Sequence, residues 1–136
     1  MLLVVDANIF TSALVAREFT LDLFFSDKLQ FIVPDWIFAE IDEHKDEILQ
    51  KAKISEDELE LFLGLLITRV EIAHAEEVKE WLAEAEKSSP DPDDVQYFAL
   101  ALKYNCAIWS NDSRLKGQNV IKIISTGELI KLFQTL

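Results

Sequence analysis

Four acidic residues, Asp6, Glu40, Asp94 and Asp112, fall where a fold could gather them, and gathered carboxylates do a narrow range of chemistry. Several carboxylates within a few ångströms cannot all stay ionised unless their pKa values rise or a cation neutralises them. The set offers oxygen donors only, and neither histidine of the chain belongs to it, so a hard ion such as Mg²⁺ or Mn²⁺ suits it better than zinc. Such an ion polarises a phosphoryl oxygen and generates hydroxide, while a second stabilises the leaving oxygen. Phosphodiester hydrolysis is the reaction these residues indicate.

The elements that must position them alternate between short apolar strands and amphipathic helices, the pattern of an α/β domain with a mainly parallel sheet. Strands are predicted at Leu2–Val5, Phe31–Val33, Val70–Ala73, Cys106–Trp109 and Val120–Ile124. Helices are predicted at Ile9–Ala16 and Leu21–Ser26, and then in one run from Trp36 through Ile37, Glu40, Ile41 and His44 to Ile48, at three- and four-residue spacing. Ser55-Glu56-Asp57-Glu58 forms a capping box for the next helix, Glu76–Lys87 reads as another, and Ser125-Thr126-Gly127-Glu128 caps the last. Ser88-Ser89-Pro90-Asp91-Pro92 is a break, after which Asp91 as N-cap and Pro92 at the first helical position start a helix running to about Tyr104.

Ligands of open parallel sheets bind beyond the carboxyl ends of the strands, at the point where strand order reverses. Asp6 directly follows the first strand, and Asp112 follows the fourth after only Ser110 and Asn111, so the two converge if those strands are neighbours. Asp94 sits at the positive end of its helix, with Val95, Phe98, Ala99 and Leu102 as the apolar stripe behind it. Glu40, between Ile37 and Ile41, borders the inward face, where a carboxylate needs a partner. Asp91 and Asp93 read more simply as a cap and a first-turn acid than as ligands.

The chain has 136 residues, half of them hydrophobic, which fits one domain with a continuous core. Neither a membrane-length apolar run nor a basic leader is visible, and the reading is a cytoplasmic protein. Cys106 is the lone cysteine and reads as a small buried hydrophobe. The net charge of −12 repels polyphosphate at long range. It is unevenly spread: residues 1–94 carry 8 basic and 23 acidic side chains, net −15, and residues 95–136 carry 5 and 2, net +3. A phosphate-holding surface must therefore draw on the C-terminal third, where Arg114 and Lys116 just beyond Asp112 are the candidates, although ordinary surface charge explains them equally well.

The arrangement resembles the PIN-domain family, including the toxin ribonucleases of VapC type. Val5-Asp6-Ala7-Asn8 looks like the family's first motif, Glu40 sits in its second, helix-borne acid position, and Asp94 followed by Phe98-Ala99-Leu100-Ala101 resembles the third. Ile108-Trp109-Ser110-Asn111-Asp112 resembles the fourth, with Ser110 in place of the family's usual threonine and Trp109 in place of an aliphatic residue, more simply core than an RNA-stacking platform. The resemblance implies a three-layer α/β/α sandwich around a parallel sheet of about five strands, order 3-2-1-4-5, and metal-dependent hydrolysis of single-stranded RNA. It implies metal binding by Asp6, Asp94 and Asp112, with Glu40 in the same pocket as a ligand through water or positioning the nucleophile, and Asn8 and Ser110 supporting the carboxylates. It also implies a small antitoxin partner in a toxin–antitoxin pair and a homodimer, which Phe24, Phe25, Phe62 and Leu66 permit, although such residues more often belong to the core.

One alternative is a PIN-like module that binds RNA or protein in RNA maturation without cutting. Two other phosphate-handling folds fit poorly. A response-regulator receiver needs an aspartate ending its third strand, where this chain has His74. A haloacid-dehalogenase-type phosphatase needs Asp-x-Asp where this chain has Asp6-Ala7-Asn8.

Overall fold

The computed structural model describes residues 1–15 and 17–134, the side chains of residues 17–19 excepted. Strands β1 (Leu2–Val5), β2 (Gln30–Pro34), β3 (Val70–Ala73), β4 (Ala107–Trp109) and β5 (Ile123–Ile124) form one sheet in the order β3-β2-β1-β4-β5. Every pairing is parallel, with Val4 opposite Ile32 on one side and Ile108 on the other. Parallel strands are covered on both faces and so need apolar side chains in both directions. That is why Leu3, Val4 and Val5 are each 0% exposed in the central strand.

Helices α1 (Ala7–Val15), α2 (Arg17–Phe24), α3 (Ile37–Glu43), α4 (Lys45–Ala52), α5 (Glu56–Ile67), α6 (Leu82–Ser88), α7 (Val95–Tyr104) and α8 (Thr126–Gln134) complete the α/β/α sandwich. Helix α7 lies against β1, β2 and β4, while α1 packs on α2, α3 and α4. Beneath the β1–β4 pair the Trp109 ring meets those of Phe24 and Phe31 at 5.1 and 5.7 Å. Its indole N–H donates to Thr126 Oγ1 at 3.0 Å, so Trp109 is core, as its sequence context predicts. Phe24 and Leu66 are core as well, at 0% and 1% exposure, and are not available to a second copy; of that set Phe25 is exposed and Phe62 partly buried. Cys106 is only half-buried, just ahead of β4, where it lies against the core, and burial pushes its thiol pKa up. Among the described residues no helix is long and apolar enough to cross a membrane.

Three elements depart from the sequence reading. The run from Trp36 to Ile48 is two helices broken at His44, where φ is −100° and ψ 13°. Asp42 and Glu43 oppose the dipole at the end of α3, while Asp46 and Glu47 favour a new first turn in α4. The apolar spacing persists across the break, which hid it. Ala75–Trp81 is a 3-10 helix, begun by Glu77 accepting from the His74 N–H at 2.9 Å, and only Leu82–Ser88 of that segment is α-helical. The fifth strand is shortened because Gln118 captures the chain before it: Oε1 accepts from Val120 and Ile121, both at 2.8 Å, and Nε2 donates to Leu115 and Ile121 carbonyls. Backbone held by an amide side chain cannot join a ladder, and Val120 is left 58% exposed.

Candidate active site

The parallel register builds the first half of the site. Val5 pairs with Trp109, so the next residues, Asp6 and Ser110, are neighbours past the carboxyl ends of β1 and β4. The Asp6 N–H donates to the Trp109 carbonyl at 3.1 Å, and Ser110 Oγ donates to Asp6 Oδ2 at 2.6 Å. Ser110 Oγ also accepts from the Asp112 N–H at 3.1 Å, so one buried hydroxyl ties the two acid-bearing loops together. Asn8 contributes its backbone N–H, 3.4 Å from Asp6 Oδ1, and its side chain stands exposed beside a small pocket shared with Glu40. Burial raises the Asp6 pKa, the Ser110 bond works against it, and the charge of Asp112 adds to the rise.

The second half comes from helix starts. Glu40 lies in the first turn of α3, half-buried, its pKa raised by burial and then by the charge of Asp6. Asp94 ends a 3-10 turn, Pro92–Asp94, which Asp91 caps by accepting from the Asp93 N–H at 2.9 Å. Asp94 itself makes no capping hydrogen bond, although an acid at a helix start ordinarily does so. Burial first, and then the charges of Asp6, Asp91, Asp112 and Glu40, raise its pKa to about 7. Asp91 thus belongs to the field of the cluster as well as being a cap, whereas Asp93 is exposed on the rim of a neighbouring groove.

Sequence reasoning missed Tyr97. Its buried hydroxyl accepts from the Ala7 N–H at 3.0 Å and donates to Glu40 Oε2 at 3.4 Å, bridging the loop after β1 to α3. Burial and the charges of Asp6 and Glu40 keep the phenol protonated. The signal was available: a tyrosine one turn after Asp94 carries a polar tip into an otherwise apolar stripe. Tyr97→Phe should destabilise the protein by about 1–2 kcal/mol, since it leaves a buried N–H without an acceptor. An unchanged urea midpoint would show that the bridge carries no weight.

Asp112 behaves differently from the other three acids. Its side chain caps a 3-10 turn, Ser113–Lys116, and both its oxygens face the Arg114 guanidinium, at 3.0 Å to Nε and 2.8 Å to Nη2. Those bonds hold its pKa below the usual carboxylate range. Lys116 reaches Glu128 instead. Among the described residues no three His, Cys, Asp or Glu side chains already stand in a geometry that would hold a metal ion. The donor set still fits a hard cation. It is all oxygen, and in Asp6, Glu40 and Asp94 burial first and neighbouring carboxylates second make the ionised forms costly, a cost that a cation would offset. A cation completing it with Asp112 would compete with Arg114 for that carboxylate.

Beside Glu40 runs a groove of about 1020 Å³, lined by Trp36, His44, Glu86, Pro90 and Gln96 among others. Acids around it make it inhospitable to a phosphate.

A parallel sheet that reverses its strand order between β1 and β4, with carboxylates at that reversal, places the acids where ligands of open α/β sheets bind. Residues 4–129 match the family model of the PIN domain, and the chain belongs to that family. Its fold is similar to that of a chain in the crystal structure of VapBC2 from Rickettsia felis bound to a DNA fragment from their promoter, with TM-score 0.65 and 15% identity over 92% of this chain and 98% of that one. Among curated proteins none matches the sequence.

Proposed function

We propose that this PIN domain acts as a metal-dependent endoribonuclease that hydrolyses phosphodiester bonds of single-stranded RNA, using Mg²⁺ or Mn²⁺ held by Asp6, Asp94 and Asp112 with Glu40 in the same pocket. The observation that carries this reading is the gathering of the acids, with Ser110 Oγ tying Asp6 to the Asp112 loop, and with burial first and the neighbouring carboxylates second raising Asp94 to about 7. A bound divalent ion would offset that rise and supply Lewis acidity and an ionised water. The chain's own groups do the rest. Ser110 fixes the Asp6 carboxylate, and Tyr97 orients Glu40, the group placed to position the attacking water. Arg114 and Lys116 are the cations nearest the Asp112 loop for holding the scissile strand.

The family resemblance extends the proposal to a cytoplasmic, single-domain toxin that forms a homodimer and is silenced by a small antitoxin. The similar Rickettsia felis chain supports a protein partner, and the acid-rich pocket suits a basic segment of one.

The test is cleavage of a mixed-sequence single-stranded RNA by the purified protein in Mg²⁺, in Mn²⁺ and in EDTA, beside the Asp6→Asn/Asp112→Asn double variant. Metal-dependent cutting should fall at least about a thousandfold in the variant, the loss of several kcal/mol of charge stabilisation. A folded, metal-loaded wild type that cuts no RNA would instead leave a non-cleaving module that binds RNA or protein.

A further inference from the structure

We propose that Arg114 is the metal-free pocket's own counter-ion: it holds Asp112 until a divalent cation takes that carboxylate, and the released guanidinium then becomes a contact for the substrate's phosphate. The inference rests on the metal-dependent reading above and adds an exchange of partners at one of its acids.

Four features carry it. Among the described residues, Asp112 is the one member of the four acids in a salt bridge with a lysine or arginine. The pairing is two-pronged and engages both carboxylate oxygens, so a cation must compete with Arg114 for Asp112. The Asp112 N–H donates to Ser110 Oγ at 3.1 Å and its Oδ1 accepts from the Arg114 N–H at 3.0 Å, so Asp112 stays on its turn and the exchange needs only rotation of the Arg114 side chain. Finally, the Asp112 side chain is 16% exposed and that of Arg114 76%, which leaves the arginine a solvent path on which to swing.

The energetic order favours the exchange. The ion pair is open to water on its arginine side, so screening and the freedom two side chains lose keep it weak. A divalent ion held as proposed would be shared by Asp6 and Asp94 as well as Asp112, and so would gain from several carboxylates at once. Once displaced, the guanidinium keeps its charge, and its planar fork suits a phosphate's paired oxygens. Metal and nucleic acid should therefore bind cooperatively through this side chain, each favouring the state in which Arg114 has left Asp112. Lys116 is the natural control, two residues along and of the same charge, but paired with Glu128 rather than with an acid of the cluster.

The experiment is Mn²⁺ binding, read from the electron paramagnetic resonance of the free ion at low ionic strength, for wild type, Arg114→Gln, Lys116→Gln, Asp112→Asn and the Asp112→Asn/Arg114→Gln double variant. Arg114→Gln should bind Mn²⁺ about fivefold more tightly, and Lys116→Gln should change affinity by less than about 1.5-fold. In the Asp112→Asn background the Arg114→Gln gain should shrink to the Lys116→Gln level. Equal gains from Arg114→Gln and Lys116→Gln would overturn the exchange while leaving the metal site intact. Absence of Mn²⁺ binding in every variant would overturn the metal reading itself, and the exchange with it. In parallel, the anisotropy of a labelled, phosphorothioate-linked single-stranded RNA should show a larger gain in affinity on adding Mn²⁺ for wild type than for Arg114→Gln. An equal gain would remove the phosphate contact.

Discussion

Asp6→Asn is expected to abolish cleavage and, in EDTA, to melt about 3–5 °C above wild type, a gain of about 1 kcal/mol. The two effects have one cause. Asp6 is 5% exposed, and burial together with the charge of Asp112 makes its ionised form costly in the metal-free fold. Asparagine has nearly the same shape and keeps an oxygen for the Ser110 hydroxyl, so the charge is removed while the packing stays. Saturating Mn²⁺ should reverse the order of melting, since only the wild type then gains ligand stabilisation, about 2.7 kcal/mol at a hundred times its dissociation constant. A variant that melts with wild type in EDTA and still cuts RNA would remove Asp6 from the mechanism.

The second large effect is on pH. In the metal-free protein Asp94 takes up a proton at about 7, whereas an unfolded aspartate does so near 3.8. Between those values the native state binds more protons than the unfolded state, so stability falls as pH rises from about 4 to 7. Asp6 and Glu40, both raised, add to the fall; Asp112, held low, acts in the opposite direction only below about pH 4. Because Asp94 is half exposed, screening limits its share to about 1–2 kcal/mol. Urea midpoints in EDTA should therefore drop between pH 5 and pH 8, and saturating Mg²⁺ should flatten the profile. Metal affinity itself should weaken up to about tenfold per unit below pH 7, as the proton and the ion compete for Asp94. A midpoint that rises with pH in EDTA would contradict the electrostatic picture of the site.

The sheet was legible because each strand is a short apolar run, and its order followed from the family motifs that flank β1 and β4. Asp6 and Asp112 could be expected to converge for that reason, and the register makes Asp6 a neighbour of Ser110, two residues before Asp112. Less legible were features in which a side chain overrides a pattern. Apolar spacing reads straight through the break at His44, and Gln118 spends its amide on backbone that the apolar run 120–124 otherwise assigns to a strand. Tyr97 was hidden by its company, since an apolar stripe is read for its hydrocarbon and not for one hydroxyl at its tip. The pairing of Arg114 with Asp112 was also invisible, because two residues apart in a loop they could face anywhere; the turn at Ser113–Lys116 aims them at each other.

The bond between Ser110 and Asp6 spans 104 positions of the chain. During synthesis the first strand, and the first acid, leave the ribosome long before β4 and Asp112 exist. A nascent chain therefore cannot possess the pocket, however much of β1, β2 and β3 has already paired. If the protein cuts RNA as proposed, its own translation is safe from it until the last third has emerged, and a truncated product lacking β4 would be harmless to the messages around it.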